Sequence, residues 1–453
     1  METTKSRRIM GYPDEFWIFY ICVIGLFLKL VFDIQHGYEY QSFNLGEWTT
    51  LGENEFHTGT LGVIQYFFEY HRLPDFSPVG LPGYECPPLF TLFCSLMLEI
   101  LHRLMSNQIG TSLHIIQLFN VIFVTIGTYA GVSILRRFGL RGRPVLTVFL
   151  LLTFYPGFFI MGATFNNDAM CFMFCMLSID RIMSWYLTRK KKNLLLCGLY
   201  FGLGLMTSYA AFTILAPIIT LIVLALLEKR TENSIILNHV RGAAVIAGVL
   251  GLWWPVYNRI RFRVPLFYVN FISADWQRIG ADVSFWTRIR PPVHTDFVSL
   301  HVTEGAGNLA NIWAQLFKTA LFSENVIDMS LRGTVTCCSF MTFISIMICI
   351  LLHIMWARTV KSRHTDEAFM IFSVVGYVSL LIEYTVFCLV TPVLGAMNFR
   401  FVPMCMFYPI IGMALGDDRS GQKHSPDRIL MKAVTYLIIV FSGISAVLLW
   451  FYA

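Results

Sequence analysis

The sequence predicts an all-α, polytopic transmembrane helical bundle, and three observations carry that prediction. Of 453 residues, 56% are hydrophobic and only 14% are charged, against about 25% charge in a typical soluble domain. Mean hydropathy is +0.62. Apolar runs near or above the roughly 18 residues needed to cross a bilayer recur along the chain. These features exclude a secreted disulfide scaffold, a disordered chain and a soluble enzyme on one anchor. A membrane barrel fits poorly, because its strands would alternate apolar and polar residues.

The first span is predicted at 16–32. Lys5, Arg7 and Arg8 precede it with no small-residue cleavage site, which predicts a retained span with a cytoplasmic N-terminus. A long polar segment follows, rich in acids (Glu39, Glu47, Glu53, Glu55, Glu69, Asp75, Glu85) and poor in basic residues, so it is placed outside. Leu89–Met105 is barely long enough to cross and carries Glu99, His102 and Arg103. Counting it as a span would export the clusters Arg136 to Arg143 and Arg189 to Lys192. The positive-inside bias therefore makes it a helix lying on the outer interface, with 57–71 a shorter amphipathic companion. The remaining spans are predicted at 113–134, 145–162, 168–187, 193–208, 211–227, 238–257, 333–356, 367–389, 401–416 and 430–452, about eleven in all. The chain reads as a single integral membrane domain, 1–453, with 33–112 as a first outer loop holding interfacial helices and 258–332 as a second long outer segment.

Net charge is +6, which in a membrane protein mostly reports topology rather than nucleic acid. The 11 cysteines form no CxxC pair or zinc-type spacing; Cys171, Cys175, Cys337, Cys338, Cys349 and Cys388 lie in apolar runs as small core residues. Gly198, Gly202 and Gly204 predict close helix packing. No Walker loop, HExxH, GxSxG or dinucleotide glycine fingerprint is present, so no nucleotide cofactor is expected.

Ionisable residues at membrane edges are costly and mark candidate sites. Asp168, in Asn166-Asn167-Asp168, reads either as a helix cap or as a carboxylate at the mouth of a bundle, placed for a metal or polar substrate. Glu85 stands in Tyr84-Glu85-Cys86-Pro87-Pro88-Leu89, where two prolines open a helix. Arg400 precedes an apolar span and reads either as a snorkelling arginine or as a fork for phosphate or carboxylate. The first-loop acids supply candidate bases for an acceptor hydroxyl or amine.

These features, in this order, resemble the GT-C superfamily of membrane glycosyltransferases, most closely the protein O-mannosyltransferase and aminoarabinose-transferase-like branch. The resemblance covers most of the chain, from the first span to Pro403. Tyr84 to Leu89 resembles a Tyr-Glu-Lys-Pro-Pro-Leu or His-Pro-Pro-Leu segment. Gly62 to Tyr66 with Leu73 to Phe76 resembles a bacterial subgroup. Asn166-Asn167-Asp168 resembles the acidic end of the family's second outer loop, and Arg400 to Pro403 resembles a late Arg-aromatic-x-x-Pro segment, one residue shorter. The resemblance implies an inverting glycosyltransferase that takes a sugar from a polyprenyl-phosphate carrier and gives it to a lipid, glycan or protein acceptor on the outer or luminal face. It implies catalytic roles for Glu47, Glu85 and Asp168, donor-phosphate binding by Arg400, helped by arginines of 258–332, and a divalent metal (Mg, Mn or Zn) at Asp168. It favours the bacterial plasma membrane over the endoplasmic reticulum. Two departures stand out: Gln41 or Asn44 aligns where the family has its first-loop Asp, leaving Glu47 as the nearest acid, and Cys86 stands where Lys or His is usual. The rival readings are a transporter or flippase for lipid-linked sugars, and a noncatalytic subunit derived from the same fold.

Overall fold

A computed structural model of the chain describes residues 8–9, 12–40, 45–46, 48, 58–105, 108–137, 140–228, 232–270, 278–280, 282–293, 310–322, 332–361, 367–411 and 426–451. A two-residue antiparallel ladder, Arg8–Ile9 with Tyr12–Pro13, leads into α1, Asp14–His36. Then come α2 (Gly59–Tyr70), α3 (Leu89–Met105), α4 (Ile109–Arg137), α5 (Arg143–Phe154), α6 (Pro156–Ala163), α7 (Asp168–Thr188) and α8 (Lys191–Thr207). A 3-10 turn, Tyr209–Ile214, runs into α9 (Leu215–Leu227), followed by α10 (Asn233–Phe262), α11 (Phe285–Ile289), α12 (Ile312–Phe322), α13 (Arg332–Lys361), α14 (Glu367–Val390), α15 (Phe407–Ile410) and α16 (Pro426–Phe451).

Eight helices among the described residues are long and apolar enough to cross a membrane, or nine when the bent pair α5–α6 counts as one span. The chain is thus a multi-pass integral membrane protein. The count differs from eleven at two places, for physical reasons. The run predicted at 193–208 is α8, one residue short of membrane length by itself at 17 residues, yet it runs back along α7, since Asn167 at the start of α7 bonds the Thr207 carbonyl at the end of α8. The run predicted at 401–416 breaks at Pro403 into short 3-10 and α turns as far as Ile411, and the rest of it lies outside the described residues.

At the bundle centre, α7 packs on α4 and α8, and α8 packs on α10. The small residues set the last contact: a β-carbon on Gly198 would collide with the Ala243 carbonyl, and one on Gly202 would sit 3.0 Å from the Ala247 Cα, as close-packed membrane helices require. The 45° bend between α5 and α6 falls at Pro156, which cannot continue a helical hydrogen-bond ladder. Carbonyls exposed at the break find donors on other helices: Lys29 Nζ bonds the Thr153 oxygen at 2.8 Å and Ser445 Oγ bonds the Phe154 oxygen at 2.6 Å.

Ion pairs fix which helix ends share a face. Arg136, in the last turn of α4, pairs with Glu15 at 3.2 Å and Asp14 at 3.7 Å in the first turn of α1. Arg137 pairs with Asp180 at 2.9 Å, and Arg189 with Glu228 at 2.8 Å. So α1 and α4 run antiparallel with the basic clusters at one end, and α2 and α3 both belong to the excursion between them at the other end. An even number of crossings by α2 and α3 follows, and neither is among the membrane-length helices.

Candidate active site

The site is built at the end of the bundle away from the basic clusters. Pro87 and Pro88 open α3, and the Pro88 carbonyl receives Leu92 N at 2.8 Å and Thr91 Oγ1 at 3.0 Å. The turn ahead of them is anchored by Tyr84, whose ring meets Tyr66 and Phe76 and whose hydroxyl donates to the Gly62 oxygen at 3.3 Å. Gly83 adopts φ +100°, and a β-carbon there would lie 2.8 Å from the Gly59 oxygen, so the close approach of this turn to α2 depends on glycine. Trp254 of α10 donates to the Glu85 carbonyl at 3.2 Å.

The buried Glu85 carboxylate is held by Asn270, which donates from its side-chain Nδ2 at 3.0 Å to one oxygen and from its backbone N at 3.4 Å to the other. Asn270 also donates to the Pro78 and Leu81 carbonyls and accepts from Gly80 N and the Tyr268 hydroxyl, so one side chain staples 258–270 to the Glu85 turn. Burial raises the Glu85 pKa above the ordinary 4.5, and the Asn270 bonds pull it partly back because they favour the charged form. Cys86 beside it has its thiol pushed well above the ordinary range, first by burial and then by the charges of Glu85 and Asp168. Both carboxylates therefore lie near one half-buried thiol.

Asp168 opens α7. A mesh of asparagines shapes its turn: Asn166 Oδ1 accepts from Asp168 N at 3.0 Å, Asn167 Nδ2 donates to the Thr207 oxygen at 2.7 Å, and Asn120 Nδ2 reaches the Thr164 and Asn166 carbonyls. The capping position belongs to Asn167, and Asp168 stands in the first helical turn, where the helix dipole favours a negative charge.

Arg400 comes from a 3-10 turn, Phe399–Phe401, capped by Asn398, whose Oδ1 accepts from Arg400 N at 3.0 Å. Phe399 N donates to Thr319 Oγ1 at 2.9 Å, and its ring fills the space left by Gly157. The guanidinium lies over the Phe401 ring at 5.0 Å and pairs with Asp168, Nε to Oδ2, at 3.6 Å.

Glu85, Cys86, Asp168 and Arg400 all line one cavity of about 640 Å³. Its other walls come from Ser208–Thr213, the 267–270 segment, the Glu383–Phe387 face of α14, and 393–402. Three of the four sequence-predicted site residues thus converge. The fourth, Glu47, and its substitutes Glu53 and Glu55 lie outside the described residues. No described arginine of 258–332 lines the cavity; Arg288 instead donates to the Cys388 carbonyl. Asn270 and Glu383 are among the lining residues that the sequence reading does not mark. Asn270 carries no pattern that marks it. Glu383 does have a signal, an acid inside an apolar run.

A divalent metal at Asp168 is tested by its donor set. Among the described residues no three His, Cys, Asp or Glu side chains converge, and Asp168 faces a guanidinium. The described residues do not make a metal site.

The family model for dolichyl-phosphate-mannose-protein mannosyltransferase matches residues 86–254, the part that holds Cys86, Asp168 and the central helices. Among solved structures the chain is similar to ArnT from Cupriavidus metallidurans bound to undecaprenyl phosphate, at 13% identity over 94% of this chain and 70% of that one, with a TM-score of 0.48. It is also similar to the apo state of the same protein, at 14% identity over 88% and 77% of the two chains, with a TM-score of 0.40. No curated protein sequence matches the chain.

Proposed function

We propose that this chain is a membrane glycosyltransferase of the GT-C type, a reading supported by the family-model match over residues 86–254, and that it moves a sugar from a polyprenyl-phosphate carrier to an acceptor on the outer or luminal face of its membrane. The observation that carries the reading is the convergence of Arg400, Asp168 and Glu85 on one cavity at the end opposite the basic clusters. Arg400 supplies a planar fork suited to a phosphate, and its present partner is a carboxylate that a donor phosphate would replace. Phe212, Phe267 and Phe387 give the same cavity apolar walls, suited to the first isoprene units of a carrier.

In the proposed reaction an acceptor oxygen or nitrogen attacks the anomeric carbon. The bond from that carbon to the phosphate oxygen breaks, and the phosphate leaves with the electron pair. Positive charge develops at the anomeric carbon in the transition state, and the carboxylates of the cavity lie where they oppose it electrostatically. The acceptor proton passes to a first-loop acid, assigned to Glu47. Arg400 stabilises the leaving phosphate. A bacterial plasma membrane, with the cavity facing outward, is the setting this reading favours.

The test is to incubate the purified protein with a panel of polyprenyl-phosphate sugars and acceptors, and to measure released carrier phosphate. Release that is lost in Asp168→Asn supports the reading. Tight binding of carriers without release from any member of the panel would assign the chain to a noncatalytic role instead.

A further inference from the structure

Three carboxylates line the described cavity: Glu85, Asp168 and Glu383. Two are engaged. Asn270 holds Glu85 and Arg400 pairs with Asp168. Glu383 has no hydrogen bond or ion pair to any described residue, although it stands inside α14, a helix of membrane length. It lies seven residues before the last residue of that helix, about 10 Å below its outer end at 1.5 Å per residue. A carboxylate at that depth is costly unless it is partnered.

The faces of α14 show where the carboxylate sits. Ile382, Val386 and Val390 are exposed and make the lipid-facing stripe, while Leu380, Tyr384 and Cys388 are buried in the bundle. Glu383 and Phe387 fall between the two stripes and line the cavity. Glu383 therefore marks the seam between lipid and cavity, at bilayer depth, on the side from which a membrane-borne substrate arrives. Its chemistry narrows what it can hold. An isoprenoid chain offers no hydrogen-bond donor, and a phosphate would be repelled. A head group bearing several hydroxyls, or an amine, would satisfy it.

On the transferase reading above, we infer that Glu383 is a substrate-binding residue that accepts hydrogen bonds from the hydroxyl or amine groups of the sugar on the lipid-linked donor. The same donor groups also occur on an acceptor; the position of Glu383 beside the lipid-facing stripe assigns it to the lipid-linked donor, and the acceptor KM separates the two.

The experiment uses the full chain in lipid nanodiscs as wild type, Glu383→Gln and Glu383→Leu. Three quantities are measured: affinity for a polyprenyl-phosphate sugar, affinity for the bare polyprenyl phosphate, and KM for the acceptor. Both variants are expected to weaken the sugar-bearing carrier by about tenfold, the scale of one hydrogen bond to a charged group, and to leave the bare carrier unchanged. Glu383→Gln keeps the shape, so its binding is read even where Glu383→Leu disturbs the fold. Equal weakening of both carriers, no weakening of either, or a rise confined to the acceptor KM would each overturn the inference. A wild-type protein that binds no sugar-bearing carrier would instead overturn the transferase reading itself.

Discussion

Arg400 Nε lies 3.6 Å from Asp168 Oδ2, joining a 3-10 turn late in the chain to the first turn of α7. Both side chains are largely removed from solvent, Asp168 almost wholly so. A guanidinium held between a carboxylate and the Phe401 ring has its orientation set before any ligand arrives. On the transferase reading, an incoming donor phosphate exchanges for Asp168 instead of meeting a bare cation.

Arg400→Lys keeps the charge and loses the planar fork. Donor affinity is expected to fall by about 1–3 kcal/mol, the scale of a lost charged hydrogen bond. The apparent donor affinity in a turnover assay measures this, and an unchanged value would remove Arg400 from phosphate recognition.

The topology carries its own check. Arg141 is exposed beyond the end of α4 that pairs with α1, on the face assigned to the cytoplasm. A single cysteine at Arg141→Cys is expected to resist a membrane-impermeant thiol reagent in intact cells and to label after permeabilisation. Efficient labelling from outside would invert the bundle and move the cavity to the cytoplasmic face.

Glu85 gives a pH signature. Its pKa stands above 4.5 because burial outweighs the bonds from Asn270. If the ionised form is the working one, activity rises with pH along a limb above the ordinary carboxylate range. Asn270→Ala removes bonds that favour the charge, so the limb should move further up; Glu85→Gln should abolish it. Stability has the opposite slope. The folded state binds the proton more tightly than the unfolded chain between 4.5 and the raised value, so this group's contribution falls as pH rises through that window. A pH–rate profile that Asn270→Ala leaves unmoved would show that Asn270 only ties loops together.

The helices were largely legible in the sequence, and the reason lies in the bilayer. Runs such as 367–389 need only be apolar and long, and α14 begins at Glu367 and ends at Val390. The Pro87-Pro88 start of α3 was equally plain, since proline fixes a helix start by its own covalent geometry. The pairing of Asp168 with Arg400 was not legible, because it depends on Asn398, Thr319 and Gly157 setting the path of the 399–401 turn. Asn270 was invisible for a similar reason. An asparagine that satisfies five loop partners looks, in sequence, like any loop asparagine. The sequence does not show the break after Tyr155, because the 145–162 run is apolar throughout and hydropathy is blind to a 45° bend.

That bend supplies the last prediction. Pro156 starts α6 at an angle to α5, and α6 leads directly to the Thr164–Asp168 turn. The angle is held from α1 by Lys29, which is buried, donates to the Thr153 carbonyl at 2.8 Å and lies 4.8 Å from the centre of the Phe159 ring. A buried carbonyl left without a donor costs about 1–3 kcal/mol, and the ring contact adds about 1 kcal/mol. Lys29→Met keeps the length and apolar stem of the side chain but removes the donor. The variant is expected to unfold more readily in detergent by about 1–3 kcal/mol, and Ser445→Ala, which frees the neighbouring Phe154 carbonyl, by about 1 kcal/mol. Because Gln117 donates to the Ala163 carbonyl and Asn120 to the Thr164 carbonyl, tying the end of α6 to α4, a relaxed bend would shift Asp168 against Arg400. Lys29→Met should therefore also lower turnover at saturating donor while the folded fraction is held constant. Equal stability and turnover in Lys29→Met and wild type would show that the bend is fixed by Pro156 alone.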